Sequence, residues 1–81
     1  MKLPRDLSGA QLIKALEQLG YQATRQSGSH IRLTCSSPEE HHLTIPLHDP
    51  LRIGTLAAIL ADAAMHQGIT RDVLLAQLFR K

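Results

Sequence analysis

His30 stands two residues after Gly28, directly after Ser29, and between Arg25 and Arg32, in a stretch from Gly20 to Pro38 that contains no acid. An imidazole with an ordinary pKa near 6.5 exchanges protons close to neutral pH, and guanidinium groups grip phosphate oxygens in pairs. Cleavage of RNA by internal transesterification uses both. It needs a base for the ribose 2′-hydroxyl, a proton donor for the leaving 5′-oxygen, and cations for the phosphorane. His30 and Arg32 share a strand face by period alone. If Ser27-Gly28 forms a two-residue hairpin, Arg25 sits opposite His30 on the same face. A solvated histidine on a polar strand face is the competing reading. The general acid is not identified, because arginine is too basic for that role and no second histidine is placed beside His30.

Other chemistry is less well supplied. Cys35, His41, His42 and His48 lie within fourteen residues and are of zinc-ligating types. Their spacing matches no usual finger or knuckle, and adjacent strand residues such as His41 and His42 point to opposite faces. Solvated loop histidines, with Cys35 as a small core residue, are the simpler account. The alternation also puts Cys35 and His30 on opposite faces, which argues against a thiolate–imidazole pair. Ser29, adjacent to His30, fails in the same way. Gly54-Thr55 alone is too little for a phosphate-cradling loop.

The elements that must position these residues read α-β-β-β-α-α. Ser8 and Gln11 form a capping box ahead of a helix over about residues 9–19, with Leu12, Ile13, Leu16 and Leu19 on one face and Gly20 at its end. Tyr21 to Gln26 favours extension. His30 to Cys35 alternates, with Ile31, Leu33 and Cys35 inward and His30, Arg32 and Thr34 outward. His42 to Leu47 alternates again, with Leu43, Ile45 and Leu47 inward, and Pro46 suits an edge. Short connections imply an antiparallel meander. Leu56, Ile59, Leu60 and Ala63 form the stripe of a second helix ending near Gly68. Thr70 caps a last short helix, with Asp72 near its positive end and Arg80-Lys81 near its negative end. Val73, Leu74, Leu78 and Phe79 dock it. Helices cover one sheet face only, because the other carries His30, Arg32 and Thr34.

The bulk composition agrees. Eighty-one residues allow one small domain, 43% hydrophobic and 20% charged. One Tyr, one Phe and no Trp leave an aliphatic core and exclude aromatic base-stacking as the main grip on a ligand. A single cysteine excludes an intramolecular disulfide framework and fits a reducing compartment. No signal peptide or membrane span is visible, so the expected location is cytoplasmic. The net charge of +2 by itself selects no partner.

The run SGAQLIKALEQLGYQATRQSGSHIRL, from Ser8 to Leu33, resembles the HicA toxins of HicA–HicB toxin–antitoxin modules. Ile45-Pro46-Leu47-His48, Gly54-Thr55-Leu56-Ala57-Ala58-Ile59-Leu60 and Gly68–Asp72 are similar to further motifs of that family, in the same order. The resemblance covers about residues 8–79. It implies an α+β fold like that of double-stranded-RNA-binding domains, α-β-β-β-α with a three-stranded antiparallel sheet, here with an extra short C-terminal helix. It further implies a metal-independent mRNA endoribonuclease that needs no cofactor and is blocked by a HicB-type antitoxin. The family's catalytic histidine maps onto His30 and the glycine of the same motif onto Gly28; His48 matches a second family histidine. With Ser29, Arg25 and Arg32, Gly28 and His48 make up the expected RNA-binding set. A non-catalytic RNA-binding or antitoxin-binding module of the same fold is the alternative. Between His48 and Gly54 the chain reads Asp49-Pro50-Leu51-Arg52-Ile53, where relatives carry lysines. This implies fewer phosphate contacts and a less salt-sensitive grip.

Overall fold

A computed structural model describes residues 3–37 and 39–79. Ser8 begins the first helix by the expected reciprocal cap: its hydroxyl accepts from the Gln11 backbone N–H at 3.1 Å, and its own N–H donates to Gln11 Oε1 at 2.9 Å. Helix α1 spans Gly9–Leu16 and tightens into a 3-10 turn over Glu17–Leu19, which Gly20 closes in the left-handed conformation at φ 94°. Strands β1 (Gln22–Ser27), β2 (His30–Cys35) and β3 (His41–Pro46) follow, then helices α2 (Ile53–Gln67) and α3 (Arg71–Phe79). The three strands form one antiparallel sheet in the order β1-β2-β3, so β3 and its Pro46 do lie at an edge. The architecture is α+β with the expected element order.

The helices gather on one sheet face over an aliphatic core. Leu12 and Leu16 of α1, Leu33 of β2, Ile45 of β3, Leu56 and Leu60 of α2 and Leu74 and Leu75 of α3 are all at most 1% exposed. Tyr21 is fully buried among them. Thr70 caps α3 through its hydroxyl, which accepts from the Val73 N–H at 3.2 Å, and Gly68 ends α2 at φ 71°. Close packing of α1 on the end of β3 depends on Gly9. A methyl group there would run into the Pro46 carbonyl oxygen, and the Gly9 N–H donates to the His48 carbonyl at 2.9 Å. Among the described residues, no helix is long and apolar enough to cross a membrane.

Several expectations are corrected. Leu47 is 37% exposed rather than inward, because β3 ends at Pro46 and alternation no longer governs the residue beyond it. Val73 is 45% exposed; α3 instead turns Leu74, Leu75 and Leu78 to the core. The hairpin turn is Gly28-Ser29, not Ser27-Gly28, so Ser27 pairs with His30 and Arg25 with Arg32. The shift follows from backbone handedness. A two-residue hairpin with glycine first takes positive φ at that position, and Gly28 has φ 59° while Ser29 is not among the positive-φ residues. The expected placement of Arg80-Lys81 lies outside the described residues.

Candidate nucleic-acid interface and active site

The open face of the sheet is built by register. His30 begins β2 opposite Ser27, and Arg32, two residues on, lies opposite Arg25; all four are exposed. An irregularity between Ala23 and Arg25 shapes this face. In a regular strand, Tyr21 and Arg25, four apart, would point the same way. The extra residue reverses the parity, so Tyr21 enters the core while Arg25 stays on the open face. Thr24, the residue at the irregularity, donates to the Arg32 carbonyl at 3.4 Å and lies 2.8 Å from Thr34 Oγ1.

The turn is held on both sides. The Ser29 carbonyl accepts from the Leu47 N–H at 2.7 Å, and the Gly28 carbonyl accepts from Gln26 Nε2 at 3.1 Å. His48 is exposed one residue beyond Leu47, so the ladder carries it to the same end of the sheet as His30. Arg25, His30 and Arg32 therefore share one face, with Gly28, Ser29 and His48 at its turn end. Neither arginine makes an ion pair among the described residues. Two like charges directly opposite one another on neighbouring strands are unfavourable. Without a carboxylate between them, they are complementary to an anion.

Cys35, His41, His42 and His48 are not brought together. The Cys35 thiol points into the core, donating to the Ser37 carbonyl at 3.1 Å. His48 lies at the opposite end of β3 from His41. The reading of His41 and His42 as solvated is corrected, since both are half-buried, and the strand expected from His42 already includes His41. On the core side, His41 Nδ1 is 2.7 Å from the Tyr21 hydroxyl and its Nε2 is 3.1 Å from Asp62 Oδ1. The His41 ring stacks on His66 with centroids 4.3 Å apart. Burial pushes the Tyr21 hydroxyl up to about 12, and the electrostatic influence of neighbouring Cys35 and Asp62 adds to the shift. The phenol keeps its proton at neutral pH, and its oxygen and the Asp62 carboxylate engage the two ring nitrogens of His41. On the open side, His42 Nδ1 is 2.9 Å from Thr34 Oγ1 and its Nε2 is 3.1 Å from Glu40 Oε2. Sequence reasoning missed these partners. The alternation of β3 puts His41 and His42 on opposite faces, but only the β2–β3 register sets Thr34 against His42.

The model of the family described as HicA toxin of bacterial toxin–antitoxin matches residues 9–65. No curated protein and no solved structure matches the chain. The matched segment runs from Gly9 through the three strands into α2 and includes every residue of the open face described above. This chain belongs to the HicA toxin family, the toxin side of a bacterial toxin–antitoxin module.

Proposed function

We propose that the protein is a metal-independent mRNA endoribonuclease with its active site at His30, and that a HicB-type antitoxin inhibits it. The reading rests on one observation: an exposed imidazole beside two guanidinium groups that face each other with no acid between them. His30 acts as general base. It takes the proton of a ribose 2′-hydroxyl as the 2′-oxygen attacks phosphorus. The phosphorus–5′-oxygen bond breaks, the 5′-oxygen takes a proton from water, and a 2′,3′-cyclic phosphate remains. Arg25 and Arg32 hold the non-bridging phosphate oxygens as charge builds on the phosphorane. Gly28 and Ser29 set the turn that presents His30, and His48 adds a phosphate contact at the same end. Family membership supports a nuclease role in general.

The test is cleavage of a long single-stranded RNA in excess EDTA by wild type and His30→Ala. Wild type cuts and leaves cyclic phosphate ends. His30→Ala loses on the order of 10²–10⁴ in rate, the usual contribution of a general base. Its melting temperature is unchanged, because the side chain is exposed. Equal cutting by both proteins, or plain 5′-phosphate products, overturns the mechanism. RNA binding without cleavage favours a non-catalytic module of the same fold.

A further inference from the structure

The open face has two chemically different ends. His30 stands at the turn end, with Arg25 and Arg32 facing each other two residues further along. At the other end a chain of hydrogen bonds crosses all three strands, from Thr24 Oγ1 to Thr34 Oγ1 (2.8 Å), to His42 Nδ1 (2.9 Å), and from His42 Nε2 to Glu40 Oε2 (3.1 Å). Both ring nitrogens of His42 are thus engaged, which fixes the ring and holds the Glu40 carboxylate against it. Glu40 is nonetheless 75% exposed, and its second oxygen, Oε1, makes no hydrogen bond among the described residues.

An exposed carboxylate repels phosphate and accepts N–H groups. A nucleotide chain lying across this face therefore puts phosphate at the arginines and a base edge with donors at Glu40. Thr34 is four residues along β2 from His30, about 13 Å at the usual strand rise. Arg32, which holds phosphate, is only two residues from Thr34, about 7 Å, so a base reaching Glu40 belongs to a nucleotide next to the bound phosphate while its edge stays clear of the atoms that His30 engages. We propose that Glu40, oriented by His42 and the two threonines, is a base-reading subsite. It selects a flanking nucleotide whose base carries an exocyclic amino group (cytosine, adenine or guanine) over uracil, because a carboxylate accepts from such amino groups. Glu40 touches the base; His42 is a positioning residue. This inference rests on the reading of the open face as the RNA-cleaving surface.

The experiment compares oligouridylates carrying a single C, A or G at each position around the cut. It measures relative kcat/KM for wild type, Glu40→Ala and His42→Ala, and oligonucleotide Kd in a His30→Ala background. Wild type favours an amino-bearing base at one flanking position by about tenfold, within the range of a good base contact. Glu40→Ala and His42→Ala flatten that preference to within about twofold, and His42→Gln, which keeps a hydrogen-bonding side chain, restores part of it. A merely structural role would lower all substrates together and leave the ratio intact; that result overturns the proposal. So does a wild-type preference for uridine, or a Glu40→Ala effect confined to capture by the antitoxin. If wild type neither cuts nor binds any RNA, the ribonuclease reading itself falls. Cutting with an unaltered base profile in the variants removes only the subsite.

Discussion

Arg25 and Arg32 face each other across β1 and β2, and each repels the other's guanidinium. Such a pair costs the folded state a little and serves an anion, so stability and activity separate at these positions. Arg32→Ala is expected to leave the urea midpoint unchanged or raise it slightly. The same substitution lowers RNA cleavage roughly 10- to 100-fold, the scale of a lost hydrogen bond to a charged group; urea titration and initial rates on one preparation check both. Tyr21 is the opposite case, a polar group spent on the fold. Its hydroxyl is raised to about 12 against an unfolded value near 10. Between those values the unfolded state binds fewer protons than the folded one, so stability falls as pH rises. Wild type is therefore expected to lose stability progressively from about pH 10 towards pH 12. Tyr21→Phe, weaker at neutral pH by about 1 kcal/mol for the lost hydrogen bond, shows a smaller alkaline loss. Urea midpoints from pH 9 to 11.5 decide this.

At the scale of elements, the junction of α1 with the end of β3 is where sequence and packing meet most tightly. The capping box is readable from Ser8 and Gln11, and so is the helix it starts. The need for glycine at position 9 is not, because the obstacle is the carbonyl of Pro46, thirty-seven residues away in the chain. Gly9→Ala forces α1 off the sheet and is expected to cost about 1–3 kcal/mol, the usual penalty of overpacking. Gly54→Ala, where an added methyl meets nothing within 4 Å, serves as control; denaturant unfolding of the two variants makes the comparison. The hairpin shows the same limit on local reasoning. Glycine marked the turn, but which two residues were central followed from the twist that the paired strands impose.

For the whole molecule, α3 lies beyond the family-matched segment yet supplies Leu74, Leu75 and Leu78 to the core. Burying each such side chain contributes about 1.5–3 kcal/mol, and the three together rival the net stability of a small protein, about 5–15 kcal/mol. A chain ending at Thr70 is expected to lose cooperative unfolding, which circular dichroism against temperature shows directly. Charge acts at this scale too. With a net charge of +2 and few cations on the open face, RNA binding should depend only shallowly on salt. Arg32→Ala reduces the slope of log K against log salt by about 0.7, one phosphate contact on a single strand. An unchanged slope removes Arg32 from the phosphate contacts.

The order of elements, the aliphatic stripes of α1 and α2, the caps at Ser8 and Thr70, and the shared face of His30 and Arg32 were all legible in the chain. Each follows from a local period of 3.6 or 2, or from a capping residue a few positions away. Tertiary structure alone decided that Arg25 opposes Arg32, that Tyr21 turns inward four residues before Arg25 turns out, and that His41 and His42 find partners on opposite faces. These depend on strand register and on one extra residue between Ala23 and Arg25. Register is set when hydrogen bonds close across strands and the apolar face finds its helices, and periodicity within a single strand carries no information about it.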